Sequence, residues 1–150
     1  MLGRYRDVFA SLDRHNVEYV VIGGIAVVMQ GVPRATFDLD ILIRATEENA
    51  QRMLDAFLEA GLGAAALTTA DDVVAHEVTI FADRVRIDVQ TFTPGIEFEE
   101  AWARKVTMAY HEQSFHVLCI DDLIASKRAA GRPVDLDDAK ALEERAQKPE

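Results

Sequence analysis

One cysteine among 150 residues excludes an internal disulfide and any cysteine-built zinc site. That residue, Cys119, stands in the apolar run 115–120, where a buried and inert thiol is the expectation. Hydrophobic residues make up 49% of the chain, yet no unbroken apolar stretch approaches the roughly 20 residues that a membrane helix needs. Arg4, Arg6 and Asp7 deny the N-terminus an apolar signal core, so a cytoplasmic protein is expected. Positive charge is also scarce: 16 Lys and Arg face 26 Asp and Glu, a net charge of -10. Such a surface repels nucleic-acid phosphates unless its cations gather in one place, which disfavours general DNA binding. The cations that do gather are Lys127, Arg128 and Arg132, and on an exposed helix three such residues usually form no more than a solvated face. Internal repeats, low-complexity tracts and interdomain linkers are missing too. The expectation is a single domain over 1–150, with a core from about 17 to 120 and a helical tail over 121–146.

Hydrophobic periodicity supplies the elements. Tyr5, Val8, Phe9 and Leu12 recur at helical spacing, with Asn16 at a left-handed stop. The β-branched run 17–22 predicts a strand that breaks at Gly23-Gly24, followed by a short helix over 25–30 closed by Gly31. After Pro33, residues 37–43 alternate: Leu39, Ile41 and Ile43 on one face, Asp38, Asp40 and Leu42 on the other. Thr46 caps a long helix whose stripe Met53, Leu54, Phe57 and Leu58 ends at Gly61. The small and polar stretch 63–72 reads as a loop before two strand-like runs, 76–81 and 85–92, joined as a hairpin at Ala82-Asp83-Arg84. In the second arm Val85, Ile87 and Val89 oppose Arg86, Asp88 and Gln90. A short helix over 96–104, strands over 106–110 and 115–120, and a helical region from Asp121 broken at Gly131 and Pro133 complete the chain. The fold class expected is α/β (α+β): a mixed sheet flanked by helices, with a short helical C-terminal appendage.

Two acids at i and i+2 of a strand project side by side, their Cα atoms roughly 6 to 7 Å apart, and can converge on one Mg²⁺. Alternating acids equally describe the wet face of any half-buried strand. Their neighbourhood shifts the balance toward the first reading, because a Gly-Gly turn opening a helix lies one element upstream and can offer backbone N–H groups to phosphate. His76 and His116 have no second ligand at a recognisable spacing and read as packed or hydrogen-bonded histidines.

The run Gly23-Gly24 through Asp38-Leu39-Asp40 resembles the Gly-Ser turn and paired acids of the nucleotidyltransferase superfamily that includes DNA polymerase beta. More closely, Gly23-Gly24-Ile25-Ala26, then Gly31, Arg34 and Thr36, then Asp38 to Ile43, is similar to the small bacterial nucleotidyltransferases of the antibiotic-modifying and toxin-antitoxin types. The tail, Asp121-Asp122-Leu123 to Lys127 with Gly131-Arg132 and Asp135 to Asp138, is similar to their closing motif. These blocks span about 17 to 142. The resemblance implies a third acid on the hairpin strand, and Asp88 matches in type, order and facing. One departure is Gly24, where many relatives carry Ser, so a hydroxyl is missing and only the amide remains.

That resemblance implies transfer of a nucleoside monophosphate from an NTP to a hydroxyl acceptor: a small molecule, a protein side chain or an RNA end. In-line attack on the α-phosphorus calls for Mg²⁺ or Mn²⁺, two ions, with Asp38, Asp40 and Asp88 as metal ligands and catalytic acids. Asp88 would also take the acceptor proton. Gly23, Gly24, Arg34 and Lys127 are the nucleotide-binding candidates. Lys127 is read as an unpaired, long-reaching cation for the β- and γ-phosphates or else as a surface salt bridge. Arg34 would do similar work or pair with Asp38, and Arg132 with Asp135 reads as a structural pair. The acidic balance suits a cationic antibiotic or a basic protein as acceptor better than RNA. The alternative is a noncatalytic antitoxin-like or regulatory module with a vestigial nucleotide site, against which the retention of three mutually repelling acids speaks.

Overall fold

The computed structural model describes residues 2–35 and 38–147. Thr36 and Phe37, both used in the sequence reading, lie outside the described residues. Seven α-helices are present among those described: α1 Arg6–Arg14, α2 Gly23–Met29, α3 Glu47–Glu59, α4 Ala70–Ala75, α5 Phe98–Arg104, α6 Ile120–Ala130 and α7 Pro133–Gln147. The six strands are β1 Tyr19–Ile22, β2 Leu39–Ile43, β3 Val78–Ala82, β4 Arg86–Gln90, β5 Val106–Tyr110 and β6 Gln113–Val117. They form one mixed sheet in the order β3-β4-β2-β1-β6-β5. β1 runs antiparallel to β2 and parallel to β6, while β2 and β4 are parallel.

Alternation decides which face of this sheet is dry. Register pairs Val21 with Ile41 and with Val117, Ile41 with Val89, and Ile87 with Leu39 and Phe81, so these apolar side chains share one face. Helices α1 and α3 cover it. Phe9 of α1 stacks on Phe115 at 4.7 Å, and Phe57 of α3 meets Phe81 edge-on at 5.1 Å. Each such buried aromatic contributes several kcal/mol of burial, on the order of 3 to 5 when truncated to Ala. The opposite face carries the row Ile80, Asp88, Asp40 and Ile22, and it is there that the sheet meets α2, α6 and α7.

Local signals hold at several ends. Asn16 has φ 54 beyond α1, Thr46 accepts from the Asn49 N–H at 3.2 Å at the start of α3, and Gly131 ends α6 with φ 73. Two expectations change. The polar stretch 63–72 is not a plain loop: Gly63–Leu67 forms a 3-10 turn and α4 begins at Ala70, capped by Thr69, whose side chain accepts from the Asp72 N–H. Cys119 is half-buried rather than enclosed, and burial still raises its thiol above the ordinary value. Leu123, Ala139 and Leu142 of the last two helices belong to the same apolar cluster as the strands. Among the described residues no helix is long and apolar enough to cross a membrane.

Candidate functional site

A solvent-open cleft of about 500 Å³ lies where the wet face of the sheet meets α2, α6 and α7, and Gly23, Gly24, Arg34, Asp38, Asp40, Asp88 and Lys127 all line it. The acids come together because β2 and β4 are parallel with Asp40 and Asp88 as direct partners. Their side chains therefore leave the same face at neighbouring positions. Asp38 precedes β2 by one residue and follows the same alternation. Burial, then the charge of Asp88 and of Asp38, pushes the Asp40 carboxyl up from 3.8 to about 6, against an opposing pull from Lys127. Two like charges beside a desolvated acid disfavour its ionised form.

Gly23 explains how Asp40 fits. Its φ is 70, in the left-handed region, and a Cβ built there would run into the Asp40 carboxylate. A side chain at this position would have to displace the acid or the backbone. The helix α2 starts at Gly23 itself rather than after a separate Gly-Gly turn.

Asp88 is not free in the cleft. Arg86, two residues earlier on the same face of β4, donates from Nε to Oδ1 at 3.0 Å and from Nη2 to Oδ2 at 3.3 Å. The same Nε stands 3.8 Å from Asp38. Among the described residues no set of three His, Cys, Asp or Glu side chains is drawn together as a ready-made metal cage.

The facing wall is basic and comes from the last two helices with Arg34. Lys127 is buried, with 7% of its surface exposed, which corrects the expectation of an exposed, unpaired cation. Its Nζ lies 3.1 Å from Asp138 and 3.5 Å from Asp135, because α7 folds back along α6 and brings these acids inward. Arg34 pairs with Asp138 at 3.0 Å, not with Asp38. Arg132 and Asp135 form the expected pair, with Nε donating at 2.7 Å and Nη2 at 3.1 Å, and these bonds hold the Asp135 carboxyl below its ordinary value. Three cations are thus anchored by two almost buried acids opposite three further acids on the sheet. Isolated, either cluster would be costly; together they form a charge-segregated slot.

Sequence reasoning missed Asp138 as the anchor shared by Lys127 and Arg34, and it noted Arg86 only for its facing. The i, i+2 spacing of Arg86 and Asp88 on a strand was the available signal. His76 Nδ1 hydrogen-bonds the Asp72 carbonyl at 2.7 Å, and the half-buried His116 meets the Thr107 hydroxyl at 3.1 Å, so both are hydrogen-bonded, as expected.

The model of a protein family described as "Nucleotidyltransferase of unknown function (DUF6036)" matches residues 4–145. Among solved structures, that of a candidate nucleotidyltransferase from Thermotoga maritima is similar at 18% identity with a TM-score of 0.57, covering 95% of this chain and 90% of that one. At that identity the likeness speaks for the fold. No curated protein matches the chain significantly.

Proposed function

Because the chain belongs to this family of nucleotidyltransferases, we propose that its cleft transfers a nucleoside monophosphate from a nucleoside triphosphate to a hydroxyl acceptor with the help of Mg²⁺ or Mn²⁺. The observation that carries this reading is the register pairing of Asp40 with Asp88, which sets two carboxylates side by side where burial and repulsion oppose the ionisation of Asp40.

The donor set fits a hard divalent cation. Asp38, Asp40 and Asp88 offer only carboxylate oxygens, the ligands that Mg²⁺ and Mn²⁺ prefer, and a cation among them would favour the ionised form of Asp40 that burial and its neighbours oppose. When bound, such ions neutralise charge on the entering and departing oxygens of the α-phosphorus. Asp38 and Asp40 would hold the metal and the α-phosphate side, and Asp88 would receive the acceptor hydroxyl proton directly or through water. Gly23 and Gly24 line the cleft, and their backbone N–H groups would donate to the phosphates. Lys127 and Arg34, held across the slot by Asp138, compensate the charge that gathers on the leaving pyrophosphate.

The acceptor is a small molecule, a protein side chain or an RNA end, and with a chain charge of -10 a cationic acceptor gains most from the surrounding field. Antibiotic-modifying and toxin-antitoxin roles differ here only in that acceptor. Nucleoside triphosphates are cytoplasmic substrates, so this reading puts the protein in the cytoplasm. The hold of Arg86 on Asp88 favours a second reading, a noncatalytic antitoxin-like or regulatory module. Incubation with each labelled NTP, Mg²⁺ or Mn²⁺ and candidate acceptors separates the two. Label transfer or pyrophosphate release that disappears in Asp40→Asn supports the enzyme, and no turnover with any NTP and acceptor supports the module.

A further inference from the structure

Arg86 satisfies both oxygens of Asp88 with two parallel hydrogen bonds and leans toward Asp38, so its guanidinium takes up the coordination that the third acid would otherwise offer to a cation. Arginine cannot resolve such a contest by deprotonating, since its charge is permanent. It can only turn away. Its side chain is 47% exposed, which leaves room to do so, and a partly exposed ion pair is weak enough to be broken by a stronger competitor. We propose that Arg86 is a positioning residue that holds Asp88 in place of the acceptor-side cation and must release it before that cation binds. The proposal rests on the metal-dependent reading of the same cleft.

Three properties follow from this competition. Asp88 stays oriented into the cleft in the metal-free protein, where a bare third acid would swing away from Asp40 to reduce repulsion. Divalent cations alone bind weakly, because entry at the outer acids costs the Arg86 pair. A triphosphate arriving with its own oxygens as ligands tips the balance, and the guanidinium leaves as positive charge enters beside it.

The test is calorimetric titration of the 150-residue chain with Mn²⁺, with and without a non-hydrolysable ATP analogue. The wild type is compared with Arg86→Gln, Arg86→Lys and the surface control Arg14→Gln, which removes an equal charge from the pair with Glu59. Arg86→Gln should bind Mn²⁺ about fivefold more tightly than wild type, the scale of one partly exposed ion pair. Arg86→Lys, which keeps the charge but not the fork, should fall between them, and Arg14→Gln should match wild type. In parallel, the Arg86 Nε–H resonance should move to the position of a free arginine when Mg²⁺ and the analogue are added. Equal or weaker Mn²⁺ binding by Arg86→Gln at an unchanged melting temperature overturns the proposal, as does an Arg86 resonance that stays put. Absence of Mn²⁺ binding in every variant, with and without the analogue, defeats the metal-dependent reading itself.

Discussion

Replacing Asp40 by Asn should make the metal-free protein more stable at alkaline pH. The Asp40 carboxyl is pushed up to about 6 from 3.8, first by burial and then by Asp88 and Asp38. In the folded protein it therefore holds its proton more tightly than in the unfolded chain. Folding takes up a proton between these two values, and stability falls as pH rises through that window. Below it both states are protonated and nothing is lost; above about 6 the full penalty applies. A shift of about 2 pH units at 1.36 kcal/mol each gives up to about 3 kcal/mol, and the open side of the cleft makes this an upper bound. Asn stays neutral throughout and keeps the shape of the protonated acid. Urea unfolding of both proteins from about pH 4 to pH 8 should give a difference near zero at the acid end that grows to as much as ~3 kcal/mol, or roughly 6 to 12 °C in melting temperature. Mg²⁺ with an ATP analogue should narrow or reverse the gap by stabilising only the wild type. A difference that does not vary with pH would refute the assignment of burial and repulsion to Asp40.

Lys127→Ala leaves Asp135 and Asp138 short of a cation and should lose about 3 kcal/mol in urea unfolding, typical of a broken buried pair. Its turnover at saturating triphosphate should drop while acceptor affinity holds, checked by steady-state kinetics in both substrates. Gly23→Ala combines a left-handed backbone, worth about 1 to 2 kcal/mol, with a methyl against Asp40, so it should weaken Mn²⁺ binding as well as stability; unchanged titration curves would contradict the close approach. Thr46→Ala removes the cap of α3 and should lower stability by about 1 kcal/mol without altering Mn²⁺ affinity.

Much of this molecule was legible in the sequence because its signals are local. Alternation set Asp38 and Asp40 on one face of β2 and Asp88 on the wet face of β4, and Thr46, Gly61 and Gly131 marked helix ends by their own chemistry. Helix α4 escaped notice because its six residues bury only Val73, which leaves no periodicity to count. Lys127 was misjudged for a different reason. Its acids lie eight and eleven residues onward, and only the fold-back of α7 on α6 makes them neighbours. Arg34 likewise found Asp138 rather than the acid nearby in sequence, a partner more than a hundred residues onward that only the fold brings close. Strand order was equally unreadable: that β4 docks beside β2, so that Asp40 and Asp88 become partners, depends on the packing of the whole dry face.

The two walls of the cleft are made at different times. Asp38, Asp40 and Asp88 precede residue 90, whereas Lys127, Asp135 and Asp138 come from the last two helices and Arg132 from the turn between them. A ribosome adding about 5 to 20 residues each second exposes the acidic wall for several seconds before its counterpart emerges. During that interval the three acids have been synthesised and the cations of α6 have not. Arg34 and Arg86 emerge with the acids, but a partly made chain lacks Lys127 and the Asp138 that anchors Arg34. On the proposed reading, competence to handle a triphosphate arrives only when α7 docks, so synthesis itself withholds the activity until the tail is in place.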